Sequence, residues 1–236
     1  MKVDLVQHTP DLIPFLAKIA SICYNSDPKN QMGLIKHLYE SGHHSVFEHA
    51  WFTWRIEGVS RALTHQLVRH RMCSFTQRSQ RYCNEDGFEV ETPPSIGQTH
   101  GTSQKYADCI SAIKDCYNDL VLDGIPNEDA RFLLPNACYT QLYVSCNLRE
   151  LMHIANERLC SRAQWEIRKL VRQMCDTVVT ITPELSQFLV PKCEAHKVPY
   201  CPEKKSCGRH GTLSQLLDEA REQGWDDRDK AEAENA

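Results

Sequence analysis

Gln66-Leu67-Val68-Arg69-His70-Arg71-Met72-Cys73-Ser74-Phe75-Thr76-Gln77-Arg78-Ser79-Gln80-Arg81-Tyr82 is the stretch around which the rest of the chain is organised. It holds four arginines and one histidine and no acidic residue. Cations at this density repel one another unless something negative is bound beside them. Arginine grips phosphate or carboxylate with a planar, two-pronged fork. The stretch therefore reads as an anion site, with phosphate the first candidate. The plain alternative is a solvated basic helix end, because cations suit the last turn of a helix.

Upstream, Ser60 caps a helix expected over 61–71. Val59, Ala62, Leu63 and Leu67 share its apolar face, and Gln66 and His70 fall on the same face, so both need polar partners. Trp51 to Glu57 alternates as a strand. Gly42-His43-His44-Ser45-Val46-Phe47-Glu48-His49 is a histidine-rich loop. Two earlier helices open on Thr9-Pro10 (apolar face Leu12, Phe15, Leu16, Ile19) and on Asp27-Pro28 (Leu34, Ile35, Leu38, ended by Gly42). Downstream come a short strand over 87–91, a helix over 103–122 and a helical turn from Pro126 to Arg131. A second strand spans Tyr139 to Ser145. A helix then starts at Asn147, with Leu148, Leu151, Met152, Ala155 and Leu159 as its stripe, and a long helix spans 163–181.

The whole is an α/β (α+β) chain with a small sheet flanked by long helices. Three regions are expected: a catalytic domain over 1–190, a cysteine-rich extension over 191–223, and a charged, disordered tail over 224–236. A net charge of −4 over 236 residues argues against a general nucleic-acid coat. No apolar run is long enough to span a membrane, and the polar start is no signal peptide. The twelve cysteines, among them Cys23, Cys109, Cys116 and Cys175, suit reduced core thiols of a cytoplasmic protein.

The ten glycines form no dinucleotide fingerprint or phosphate loop, so side chains would have to hold a nucleotide. Ser79 and Cys73 lack a base with its orienter. His43, His44 and His49 do not have zinc spacing. In the extension, Cys193, Cys201 and Cys207 are candidate metal ligands, although the favoured reading is no metal. An RNA-binding module with a zinc-binding tail is the rival reading of the whole chain.

Two blocks together resemble the flavin-dependent thymidylate synthases. The first is Arg69-His70-Arg71, seven residues, then Ser79, preceded by Gly42 to His49. The second is Asn147-Leu148-Arg149-Glu150-Leu151 with Arg158 and Arg162-Ala163-Gln164-Trp165-Glu166-Ile167. The likeness covers roughly residues 30–190. It implies reductive methylation of dUMP to dTMP, with methylenetetrahydrofolate giving the carbon, FAD carrying the hydride and NADPH reducing the flavin. It also implies a homotetramer whose sites form where subunits meet. By the same resemblance, His43, Ser45, Arg69, His70, Arg71, Gln77, Asn147, Arg149 and His153 contact FAD. Gln66, Arg69, Gln77, Arg78, Ser79, Gln80, Arg81, Arg131 and Arg158 bind dUMP, and Arg158 activates the uracil. Three positions depart from the family's usual residues: Gln80 for glycine, His153 for asparagine and Arg162 for histidine.

Overall fold

The structure is a computed structural model that describes residues 1–24 and 29–222. The expected Asp27-Pro28 helix start and the tail from residue 224 lie outside the described residues. The chain divides into two compact units interleaved in sequence: residues 1–16 with 47–150, and 17–46 with 151–236.

The first unit is built on a four-stranded antiparallel sheet in the order β1-β2-β4-β3. The strands are β1 (Lys2–His8), β2 (Trp51–Ser60), β3 (Ser74–Gln77) and β4 (Tyr139–Asn147). Phe52, Trp54 and Ile56 on β2 lie opposite Cys146, Val144 and Leu142 on β4, and all six are buried. The alternate positions face the other way, where Thr53 and Ser145 share a 2.9 Å hydroxyl contact. This is the period-two pattern of a sheet with one apolar face. A bulge between Glu57 and Val59 falls at Gly58, whose φ of +65° suits glycine. β1 and β3 were not expected. β1 has a polar, half-exposed pattern and is held by pairing with β2. β3 is only four residues long and is held by β4.

The helices are α1 (Leu12–Ser21), α2 (Gln31–Glu40), α3 (Arg61–Leu67), α4 (Pro94–Gly97), α5 (His100–Leu122), α6 (Asn127–Ala130), α7 (Leu148–Arg158), α8 (Trp165–Ile181) and α9 (Leu213–Glu222). Ser60 Oγ accepts from Leu63 N at 3.0 Å, the expected cap, but α3 ends at Leu67, short of the expected 71. Ala62 is exposed rather than on the buried face, and so is Phe15 on α1. The 87–91 strand reduces to one bridge between Val90 and Cys138. The expected stripe of α7 is buried at every position, Leu159 just beyond it included. Along α5, Ile110 and Tyr117 are buried with Phe88, Ala130 and Cys138 in a small core of the first unit. Cys109 and Cys116 are exposed on α5, about 100° round the helix from Ile110 and Tyr117, and Cys23 is also exposed; of the four thiols expected in the core only Cys175 is there. In the second unit, Leu170, Val171, Met174 and Val178 line the buried side of α8, and the rings of Phe188 and Tyr39 meet at a 46° tilt with their centroids 4.6 Å apart. Among the described residues, no helix is long and apolar enough to cross a membrane.

Candidate active site

The arginine stretch begins where α3 gives out. Val68, Arg69 and His70 close tight backbone turns onto Thr64, Gln66 and Leu67, and Cys73 N then bonds to His70 O at 3.2 Å before β3 begins. This reversal sorts the side chains. Arg69 and Arg71 are exposed, whereas His70 is only 6% exposed. His70 Nδ1 lies 3.7 Å from Glu150 Oε1, and Glu150 is itself buried. The Glu150 amide in turn donates to Asn147 Oδ1 at 2.9 Å, so Asn147 caps α7. His70, Glu150 and Asn147 thus form one buried polar cluster, which meets the expectation that His70 needs a partner. Gln66, by contrast, reaches back to the Ala62 carbonyl of its own helix at 3.5 Å. Among the described residues, Arg69 and Arg71 form no ion pair.

The far end of the stretch is held differently. Gln77 Nε2 donates to Thr64 Oγ1 at 3.1 Å and Thr140 Oγ1 at 3.4 Å, tying β3 to α3 and β4. Arg78 Nε donates to Glu85 Oε1 at 3.0 Å, and this carboxylate raises the arginine's pKa further. Ser79 Oγ accepts from Arg81 N at 3.2 Å. Arg81 Nε meets Glu128 Oε2 at 2.5 Å, and Arg131 Nε donates to the Glu128 carbonyl at 3.1 Å. The stretch contains no acid, yet two of its four arginines have carboxylate partners from farther along the chain; Glu85, Glu128 and Glu150 were all missed. The Asn147-x-x-Glu150 capping spacing was the one local signal for any of them.

Gln80 turns inward. It is 9% exposed, and its amide nitrogen lies 3.9 Å from the Cys138 sulfur. Burial pushes the Cys138 thiol up to about 11. The Gln80 side chain therefore fills the core and leaves the outer side of the turn open.

Arg149 is exposed and paired with Glu48 at 2.5 Å in the first unit. The second unit carries His43 and Ser45, both exposed, with exposed His153 on α7 and half-buried Arg158 at its end. The turn after Arg158 is pinned. Gln164 Oε1 caps α8 through Glu166 N and Ile167 N at 2.9 and 3.1 Å. Arg168 donates to the Ser161 carbonyl at 2.7 Å, and Arg162 donates to the Lys205 carbonyl at 2.5 Å. Arg162 therefore ties this turn to the extension.

In the first unit the structure thus offers two kinds of cationic group. Among the described residues the pair flanking His70 has no carboxylate partner, and the Arg81–Arg131 pair converges on residue 128. Either suits an oxyanion. The family described as "Thymidylate synthase complementing protein" matches residues 4–184. The chain is 40% identical over 232 residues to a protein named flavin-dependent thymidylate synthase from Geobacter sulfurreducens, covering 93% of this chain and 99% of that one. It is 38% identical over 234 residues to one from Nitratidesulfovibrio vulgaris, covering 89% and 95%. It is 43% identical over 171 residues to one from Pyrococcus furiosus, covering 69% of each chain.

Proposed function

The chain belongs to the flavin-dependent thymidylate synthase family, and from that premise we propose that it converts dUMP to dTMP by reductive methylation. Methylenetetrahydrofolate is the carbon donor and NADPH the reductant. The working form is a cytoplasmic homotetramer. Bound FAD supplies the carrier through which the hydride passes.

The residues fit such a cofactor. Arg69 and Arg71 are two exposed guanidinium groups on one turn with no ion pair among the described residues, which is the charge a pyrophosphate needs. The observation that carries the reading is this open pair standing on the family's own signature. His70 stays inside, facing Glu150 at 3.7 Å, and holds the turn in shape. His43, Ser45, Asn147, Arg149, His153 and Gln77 complete the proposed flavin contacts, with Asn147 acting through its cap of α7.

For dUMP, Arg81 and Arg131 are the proposed phosphate grips, with Ser79, the Gln80 backbone, Gln66 and Arg78 beside them. A nucleotide phosphate would displace Glu128 from Arg81. Arg158 is the proposed activating group. As uracil C5 becomes nucleophilic, negative charge grows on O4 and N3, and a permanent, planar cation stabilises it. No cysteine attack on the ring is then required, in keeping with Cys73 carrying no base. The RNA-binding rival draws on the same arginines, but Arg78 and Arg81 already hold carboxylates, which weakens a phosphate-tracking surface.

The test is purification followed by turnover. Yellow protein that makes dTMP from dUMP, methylenetetrahydrofolate and NADPH is expected. Colourless protein that neither takes up FAD nor forms dTMP would overturn the reading.

A further inference from the structure

The second unit holds a cluster that the proposed chemistry does not use. Past α8 the chain runs from residue 190 to 212 with little regular structure. Cys201 N donates to Gly211 O at 2.8 Å, and Cys201 bridges Thr212. A segment this poor in apolar side chains needs another cross-link to stay ordered. Its two buried cysteines, Cys193 and Cys201, are 9% and 8% exposed. They line a cavity of about 20 Å³ together with Cys207, His210 and, from the turn that follows Arg158, Cys160. That volume holds one ion or one water.

Three details give the cavity the character of a metal site. Cys193 Sγ, a His210 ring nitrogen and a Glu194 carboxylate oxygen lie within 4.8 Å of one another. His210 Nε2 is buried and makes no hydrogen bond; Glu194 Oε1, 3.6 Å from it, is already taken by Arg209 at 3.3 Å. Cys207 and His210 are joined by a tight turn in which Gly208 sits at φ +96° and Ser206 Oγ accepts from Gly208 N at 3.0 Å. That Cys-x-x-His turn brings a thiol and an imidazole to the same cavity.

We propose that this cavity is a structural zinc site, with Cys193 and His210 as its preformed pair and Cys160 and Cys207, which line the same cavity, closing onto the ion to complete four ligands. Three soft thiolates and one imidazole are a zinc set. Cys201 also lines the cavity, on a backbone held by Gly211 and Thr212. The consequence is mechanical: the ion clips the turn carrying Cys160, two residues past Arg158, onto the extension, beside the Arg162 contacts with Glu203 and the Lys205 carbonyl.

The test uses the full chain, expressed with added zinc and purified without chelator. Elemental analysis should find one zinc per chain, and a mercurial that titrates thiols should release it. Chelator-stripped protein titrated with cobalt(II) should show the intense bands of tetrahedral thiolate coordination, which zinc then abolishes; this readout needs no variant to fold. Cys160→Ser, Cys193→Ser and Cys207→Ser should each lose the metal, while Cys201→Ala and the exposed Cys109→Ser keep it. The proposal is overturned by metal-free protein that takes up neither ion, by iron in place of zinc, by a disulfide among these cysteines in freshly purified protein, or by zinc retained in Cys193→Ser. None of these readouts depends on flavin or dUMP.

Discussion

Arg81 Nε lies 2.5 Å from Glu128 Oε2, and Arg131 Nε lies 3.1 Å from the carbonyl of that same glutamate. One acidic residue thus organises both proposed phosphate grips, occupying through its side chain the place an anion would take. The Arg81–Glu128 pair is about half exposed, so it contributes only about 0–1 kcal/mol to stability. Its weight falls on binding. Glu128→Gln should lower the KM for dUMP several-fold and leave thermal stability unchanged. Arg81→Ala should raise that KM by an order of magnitude or more, the effect of losing a charge-assisted contact of about 1.5–3 kcal/mol. Steady-state kinetics on the two variants reads this directly; opposite signs for the two substitutions are the expected result.

His70 and Glu150 behave otherwise, because both are buried. Glu150→Ala removes the acceptor facing His70 and should cost about 1–3 kcal/mol, seen as a lower urea midpoint. Flavin retention should fall with it, since the Arg69–His70–Arg71 turn loses its anchor. Glu150→Gln, which keeps the shape and a hydrogen-bonding end, should recover part of both. A Glu150→Ala protein with unchanged midpoint and full flavin would contradict the anchoring role.

Gln80 offers a sharper test of which part of the turn meets phosphate. Its side chain points to Cys138, so Gln80→Gly should change the KM for dUMP less than twofold while lowering stability slightly through lost packing. A large loss of dUMP affinity would instead assign the contact to the side chain.

Much of this was readable beforehand, and the misses share a cause. The Ser60 cap, the strands that begin at Trp51 and Tyr139 and the α7 stripe follow from local pattern, and they stand in the structure. β1 and β3 carry little local signal; they exist because β2 and β4 offer them partners. The carboxylates on Arg78 and Arg81 come from residues 85 and 128, and the partner of His70 from residue 150. Contacts across 7, 47 and 80 positions leave no trace in spacing. The thiols at 109 and 116 were misplaced because the apolar stripe of α5 is narrow and they lie about 100° round the helix from it. In the extension, the cysteines were visible as a group, but Cys160 joins them only through the fold.

Two buried thiols set an alkaline limit on stability. Burial pushes Cys138 up to about 11 and Cys175 up to about 12, against an ordinary value of 9.0. Both are neutral in the fold and ionise more readily once unfolded. Their stabilisation is therefore complete below pH 9 and is lost as pH rises through about 11 to 12. Chemical denaturation at pH 8, 9, 10 and 11 should show the midpoint dropping across that window. Cys175→Ala should be weaker at pH 8 through its cavity, yet show a shallower drop. An equal slope in the variant would remove Cys175 from the account.

Arg158 carries the proposed chemistry, and the distinction between charge and shape is testable there. Lysine keeps a cation at the end of α7 but loses the planar fork that can face two ring atoms at once. Charge on uracil O4 and N3 is small in the bound substrate and large when C5 attacks. An interaction made mainly in that transition state lowers kcat when it is removed and changes KM less. Arg158→Lys should therefore reduce kcat by at least tenfold, with a smaller change in the KM for dUMP and an unchanged flavin spectrum. Arg158→Ala should reduce kcat further. If KM rose while kcat held, Arg158 would be a binding residue only. If the flavin were lost along with activity, it would be part of the cofactor's seat. The three outcomes separate on two measurements, the absorbance of the purified variant and its dUMP saturation curve.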